Sequence, residues 1–512
     1  MSQISKKNIV LGQKSGFFCG IKKLFVSLRP KISTNIMAGL LIGRDRELKE
    51  LDRCLKSEQS EFVIVYGRRR VGKTFLVDES FKEKYDFSYV GGHNVAQKKQ
   101  LRNFAKALKK YAHLPKQPKF EDWADAFDAL EEYIETLPTN RKKIIFIDEM
   151  PWIDTPQSDF VEELESFWNG WAARRRDIML IASGSATSWM IDNLVENQGG
   201  LHCRITSSIY LRPFTLTEAE QYVRAKKCTW DRYQIMQAYM IIGGVPFYWS
   251  LLDLKQSLVQ NIDRLCFQRN AILKIEFDEL FNALFKHADI YIAISKLLSN
   301  HKEGLTRTQV GEMVDLEGRM LTKVLKNLER CDFVIKFNQL GNKVKDAVYR
   351  LSDFYTLFYF KYIETNNSFD EQWWSRNFQT HSVEVWQGQT FELICMLHTN
   401  AIKKKLGISG ISTNIASWRY KPKDAQEKGA QVDMVIERSD RVINLCEIKF
   451  AVGKYQIKNT YAEYMRDRAE LFRAKTNTRY SIVQTMITTF GVADNMHSSI
   501  IGQEVNMDDL YA

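Results

Sequence analysis

A β-branched and aromatic run, Phe62-Val63-Ile64-Val65-Tyr66, stops at Gly67; four residues intervene, and Gly72-Lys73-Thr74 opens a helix-forming stretch. This is the pattern G-x-x-x-x-G-K-[ST] set between a strand and a helix, the setting that gives the pattern its meaning. The glycines let the backbone curl with its N–H groups facing inward, and the helix N-terminus adds positive potential where a triphosphate would lie. The expectation is an ATP site formed by Gly67, Arg68, Arg69, Arg70, Val71, Gly72, Lys73 and Thr74. Lys73 would reach the β- and γ-phosphates, and the Thr74 hydroxyl would ligate Mg²⁺.

A second apolar run, Ile144-Ile145-Phe146-Ile147, ends in Asp148-Glu149. Such a run suits a fully buried parallel strand, and it delivers both acids at the carboxyl end, where α/β sheets place ligands. Asp148 is expected to hold Mg²⁺ and Glu149 to polarise the attacking water. A further buried strand, residues 177–182, leads into Ser183-Gly184-Ser185. Two readings stand there: one serine senses the γ-phosphate, or the three residues only turn the chain. Arg204 precedes a last strand that runs from Ser208 towards Phe214 and is stopped by Pro213. It contacts a γ-phosphate in cis or in trans, or it is a surface arginine. From Thr215 to Phe285 the pattern is helical, interrupted by Gly243-Gly244-Val245-Pro246, where the chain breaks and backbone approaches closely. This reads as a small helical lid.

The chain of 512 residues is too long for one core. Its net charge of +11 is less informative than it looks, because seven of those positive charges lie in residues 1–36, which hold no acid. That basic stretch reads as a disordered tail or as an extended start before Met37. The eight cysteines form no C-x-x-C pair and no Cys/His metal spacing, which implies a reduced, cytoplasmic compartment. No apolar run approaches the ~20 residues of a membrane span.

Residues 286–385 suggest a winged helix followed by a connecting helix. Three helices (290–298, 306–314 and 318–331) precede strands 333–337 and 347–351, which flank a Gly341-Asn342-Lys343 turn. Arg319, Lys323, Lys326 and Arg330 on the third helix either meet DNA phosphates or serve internal packing. The aromatic-rich residues 353–385 read as an interdomain packing helix. In the last segment, residues 386–512, Glu392 lies in a helix starting after Gly388, and strand 431–436 turns at Ser439-Asp440-Arg441 into strand 442–450. Period-2 alternation puts Glu447 and Lys449 on one face, with Asp433 beside them. Two carboxylates and a lysine suit a Mg²⁺ site that activates water against a phosphodiester. An exposed hairpin with a Glu/Lys pair is the competing reading.

Gly67–Thr74, Asp148-Glu149, Ser183-Gly184-Ser185, Arg204 before Leu211-Arg212-Pro213-Phe214, and Gly243-Gly244-x-Pro246 together resemble the archaeal-type ATPase family, a branch of the AAA+-related STAND ATPases. The likeness covers about residues 38–285. It implies an α/β P-loop sheet of strand order 5-1-4-3-2 (residues 37–215) and a lid (216–285); Leu41-Ile42-Gly43-Arg44-Asp45-Arg46-Glu47-Leu48 resembles the segment that covers the adenine in many AAA+-like ATPases, or is an ordinary surface helix start. Asp433-x₁₃-Glu447-x-Lys449, with Glu392 upstream, resembles the PD-(D/E)XK nuclease superfamily, with Val432 in the proline position. That resemblance implies a restriction-endonuclease-like α/β domain with Glu392, Asp433 and Glu447 as metal ligands and Lys449 as a catalytic residue. Two functions are then expected to compete: a Mg²⁺-dependent ATPase coupled to a nuclease-like domain that acts on nucleic acid, and a nucleotide-dependent switch whose last domain only binds a partner. ATP, DNA and other copies of the chain are the partners considered, and no membrane.

Overall fold

The computed structural model describes residues 41–512 apart from Gln157, Gln198, Lys286, Gln339, 341–346, Asn367, Lys421, 423–428 and Ala512. The expected tail, the Met37 start and the Gly341-Asn342-Lys343 turn lie outside the described residues.

Strands that are apolar without alternation need cover on both faces, and a parallel sheet flanked by helices supplies it. β1 (Glu61–Tyr66), β2 (Phe87–Val90), β3 (Lys143–Asp148), β4 (Ile178–Gly184) and β5 (Ser207–Tyr210) form one parallel sheet in the order β2-β3-β4-β1-β5. This is the 5-1-4-3-2 order that the resemblance implies. β3 and β4 are buried at every position. The helices are α1 (Asp45–Lys56), α2 (Lys73–Phe81), α3 (Gln97–Tyr111), α4 (Trp123–Glu135) and α5 (Phe160–Gly170). Trp123, Phe127 and Leu130 are core residues, with Trp123 edge-on to Phe104 at 5.6 Å. β5 is shorter than expected: Leu211 still donates its N–H to Tyr66, and Pro213, which has none, ends the pairing.

The helical segment includes α6 (Leu216–Ala225), α7 (Arg232–Ile242) and α8 (Ile272–Leu284). α7 buries residues on every side, including the continuous run Ala238–Ile242. It ends at Gly243 in the left-handed region (φ +61°). A Cβ on Gly244 would sit 2.0 Å from the carbonyl oxygen of Phe214, so only glycine fits where the chain after α7 meets the chain leaving β5.

Next come α9 (Ala288–Ser299), β6 (Leu305–Thr306), α10 (Arg307–Val314), α11 (Gly318–Arg330), β7 (Val334–Phe337) and β8 (Val348–Leu351), the strands forming an antiparallel sheet in the order β6-β8-β7. The expected single packing helix over 353–385 is corrected. Phe354–Ile363 is helical, the polar stretch after it breaks the helix, and a short turn of helix, Trp373–Asn377, follows. Packing is what the aromatics do: Phe358, Tyr362, Trp374 and Trp386 contact one another with centroids 5.1–6.5 Å apart. The helix carrying Glu392 also starts earlier than expected. α12 runs His381–Leu397 with Gly388 inside it, at a point where a Cβ would meet nothing.

The last sheet, β13-β12-β11-β10-β9, contains β9 (Thr413–Tyr420), β10 (Ala430–Arg438), β11 (Val442–Lys449), β12 (Ser481–Thr488) and β13 (Gln503–Asn506), with α13 (Asn459–Thr476) between β11 and β12. β9, β10 and β11 are antiparallel; β11, β12 and β13 are parallel. This segment is docked on α6 and α7: Tyr233 stacks on Phe450 at 5.3 Å and 9°, and Leu216 donates its N–H to His398 Nε2, just past α12, at 3.2 Å. Among the described residues no helix is long and apolar enough to cross a membrane.

Candidate functional site

Because β1 pairs with β4 (Tyr66 opposite Gly184) and β3 with β4 (Ile147 opposite Ala182), the carboxyl ends of three buried strands converge. The loop after β1 therefore meets Asp148-Glu149 and Ser183-Gly184-Ser185 directly. Gly67 has φ +147°, and a Cβ there would come 2.4 Å from the Leu211 carbonyl oxygen. Gly72, also left-handed (φ +91°), caps α2.

Lys73 is buried, and its Nζ donates to the carbonyls of Gly67 and Arg68 (3.1 Å each) and to Ser185 Oγ at 3.0 Å. Burial pushes its ammonium below the ordinary lysine range, against the pull of Glu149 and Asp148. Thr74 donates its hydroxyl to Asp148 Oδ2 at 2.8 Å, and Ser183 donates to Asp148 Oδ1. Glu149, in the left-handed region at φ +49°, accepts from Ser185 N (3.1 Å) and Ser185 Oγ (2.6 Å). The two serines thus divide the work: Ser183 orients the first acid, and Ser185 links Lys73 to the second. A threonine hydroxyl beside one carboxylate is the sparse, hard-oxygen donor set that Mg²⁺ takes when substrate phosphates complete its shell. The residues fit the nucleotide and the metal.

Arg68 and Arg70, which the motif treats as fillers, have specific partners. Arg68 is 2 % exposed and pairs with Asp353, itself buried, while its guanidinium sits 4.8 Å from the centre of the Phe333 ring. Arg70, at φ +74°, makes a two-pronged bond to Glu276 on α8 (3.0 and 2.9 Å) and stacks over Phe247 at 4.1 Å. The loop is therefore tied to α8 and to the chain that follows β8. Nothing in the local sequence marks Asp353 or Glu276 for this, since they lie 285 and 206 residues away.

Arg204 is exposed, in the turn before β5, at the amino end of strands whose carboxyl ends carry the loop. The ladder from Val63 to Tyr66 separates Arg204 from the loop. On α11, Arg330 pairs with Asp192 (2.6 Å) and Glu196 (2.7 Å), and Lys326 with Glu196 (3.7 Å). Those two cations face the first sheet's own helical turn, Ile191–Val195, and its cap. Arg319 and Lys323 are exposed.

In the last sheet Glu447 and Lys449 do share a face, 2.6 Å apart, and Asp433 accepts from the Ile448 N–H at 3.2 Å. Glu447 is engaged on every side: α13 supplies Arg468, which pairs with it, and Tyr461, which donates to it. Burial works against its charge, yet Arg468 and Lys449 hold it below the usual carboxylate range. Glu392 and Asp433 line a pocket with Arg350, Lys302, Trp418 and Gln431. Burial, then Asp433, push Glu392 up to about 7. Among the described residues no group of three His, Cys, Asp or Glu is placed to hold a metal ion. The expected triad of Glu392, Asp433 and Glu447 is not assembled as one donor set, because Arg468 draws Glu447 towards α13.

The raised Glu392 has a measurable consequence. Below the unfolded value near 4.5 both states carry the proton; between 4.5 and about 7 only the native state does. Stability therefore falls as pH rises through that window, by at most about 3 kcal/mol. Glu392→Gln should match the wild type in urea midpoint at pH 4 and exceed it at pH 8. A variant that loses stability equally at both would refute burial of an ionisable Glu392 as the cause.

Residues 41–252 match the profile of a family described as an ATPase domain predominantly from Archaea. An uncharacterized protein of Methanocaldococcus jannaschii is 26% identical over 339 residues, which span 65% of this chain and 71% of that one. Among solved structures, the Walker-type ATPase paby2304 of Pyrococcus abyssi is similar at TM-score 0.45 and 16% identity, over 62% of this chain and 96% of that one. The ORC2 protein of Aeropyrum pernix is similar at TM-score 0.38 and 15% identity, over 63% and 93%.

Proposed function

We propose that this chain, whose residues 41–252 carry an ATPase domain of the archaeal type, is a Mg²⁺-dependent ATP hydrolase that couples its nucleotide state to the modules following it. The observation that carries the reading is the pair of contacts Lys73–Ser185–Glu149 and Thr74–Asp148–Ser183 at the ends of three adjacent strands. Lys73 binds the β- and γ-phosphates, and the backbone N–H groups of the loop from Gly67 to Thr74 cradle them. Thr74 and Asp148 would hold Mg²⁺, which neutralises phosphate charge when bound. Glu149 takes the proton of the attacking water, and Ser185 positions Glu149. Arg204, exposed at the other end of β5, is proposed to act on the nucleotide of a neighbouring copy. Lys73→Ala should lower ATP affinity at least a hundredfold in a titration with a fluorescent analogue; unchanged affinity would remove the loop from the site.

Residues 288–351 are proposed as a winged helix on the order of their helices and strands, and 386–512 as a nuclease-like domain on the placement of Asp433, Glu447 and Lys449. For that domain a second reading has its own support: Glu447 is closed off by Arg468 and Tyr461, as in a module that only binds a partner. A metal-dependent nicking assay with wild type and Lys449→Ala separates them. Nicking by the wild type alone supports the nuclease; intact DNA in both lanes, with ATP still turned over, leaves the switch.

A further inference from the structure

The segment between β2 and β3 holds two neighbouring helices of opposite charge that the nucleotide site does not use. α3 carries Lys98, Lys99, Arg102, Lys106, Lys109 and Lys110 and no acid. α4 carries Asp125, Asp128, Glu131, Glu132 and Glu135 and no base. Leu101, Phe104 and Leu108 on the first and Trp123, Phe127 and Leu130 on the second take up the buried faces. The charges stand outward: Lys99, Arg102, Lys106 and Lys110 are exposed, as are Asp125, Asp128, Glu132 and Glu135. Both stripes advance by three or four residues at a time, and each spans about 15 Å at ~1.5 Å per residue.

These charges find almost no counter-charge among the described residues. Among the described residues none of the six cations of α3 is ion-paired, and Lys110 rests on the Tyr111 ring at 5.2 Å. Glu135 accepts from the Trp171 ring N–H and lies 4.0 Å from Arg175; among the described residues the other four acids of α4 form no ion pair. Crowding shows in Glu131, which burial and its neighbours Asp128 and Glu135 push up to about 7. Folding does not ask for this arrangement. Lys98 and Lys99 stand in the first turn of α3, against the helix dipole. Arg102/Lys106 and Asp128/Glu132 are like charges four residues apart on one helix face, each pair destabilising its helix.

We propose that this two-signed surface is the interface with a second copy of the chain, α3 of one copy lying against α4 of the other. A two-fold axis beside the helices satisfies both stripes at once, since a self-complementary patch meets itself. A nucleic acid is the poorer occupant. The carboxylates of α4 lie within about 10 Å of the α3 stripe, one helix diameter and close to a Debye length, so they repel the phosphates that α3 attracts. The inference is independent of ATP hydrolysis and of the nuclease-like reading.

The full chain is tested by sedimentation velocity. The wild type should self-associate at ~50 mM salt and weaken at least tenfold at ~500 mM, where screening shortens to about 4 Å. Two variants, Lys99→Glu/Arg102→Glu/Lys106→Glu and Asp128→Lys/Glu132→Lys, should each be monomeric. Their equimolar mixture should associate again, because each then offers what the other has lost. Both should keep the thermal midpoint and ATP affinity of the wild type, which separates loss of the interface from loss of the fold. A monomeric wild type, variants that associate like it, or a mixture that stays monomeric overturns the proposal. So does loss of binding to a labelled DNA duplex by the first variant with no change in mass.

Discussion

Glu149→Gln is expected to bind Mg²⁺-ATP as the wild type does and to turn it over at least a hundredfold more slowly. A positioned general base contributes about 10²–10⁴-fold to a proton transfer, and an amide keeps the shape while losing the basicity. The geometry makes the separation of binding from turnover sharp. Lys73 and Thr74 approach the phosphates from the loop, whereas Glu149 contacts neither the loop backbone nor Thr74 but Ser185, through N–H and hydroxyl. Gln at 149 can still accept from the Ser185 N–H through Oε1, and its amide N–H can donate to Ser185 Oγ in place of the bond it loses, so the strand ends should keep their spacing. Steady-state turnover and equilibrium binding of a labelled nucleotide check the two halves. Equal kcat in the variant would take Glu149 out of the reaction, and a parallel loss of affinity would assign it to binding instead.

The second large effect is on stability. Arg68→Ala should cost about 3–5 kcal/mol, the range for breaking a buried ion pair by removing one partner. Asp353 would be left at 4 % exposure with no cation facing it, and burial of an unpaired carboxylate is what sets the magnitude. Asp353→Ala should be at least as damaging, because Asp353 also accepts from the Thr356 N–H at 2.9 Å and so caps the helix Phe354–Phe358. The double variant should lose less than the sum of the singles. Urea unfolding of all three decides it; single-variant losses under 1 kcal/mol would mean that the pair is solvated and idle. The pair also joins the loop Gly67–Thr74 to the segment after β8. ATP affinity in Arg68→Ala, measured where the fold persists, reports whether that module biases the loop.

How much of this was legible beforehand depends on the distance over which the physics acts. The strand-loop-helix at Gly67–Thr74 and the strand ending in Asp148-Glu149 were readable because burial and backbone geometry leave local marks: continuous apolar runs, glycines at fixed offsets, acids at a strand end. Gly244 was readable as a close approach, though not what it approaches. The helix through Glu392 was placed too late because Gly388 looked like a start, and glycine in a helix costs only about 1 kcal/mol when packing around it is good. β9, β12 and β13 went unrecognised, as did α13. Strands with mixed patterns, β9 and β12 of eight residues and β13 of four, take their register from neighbours, not from their own period.

By itself, the sequence determined the phosphate loop, the two acids and the lid break at Gly243-Gly244. These are chemical requirements met within a dozen residues of one another or at the end of one strand. Tertiary structure alone decided what Arg68, Arg70, Lys326, Arg330 and Glu447 do. Each is a charge whose role is set by the partner that folding brings to it: Asp353, Glu276, Asp192 and Glu196, and Arg468. A buried charge must find a counter-charge somewhere in the chain, but local pattern does not say where. Only the packed arrangement of sheets and helices assigns it.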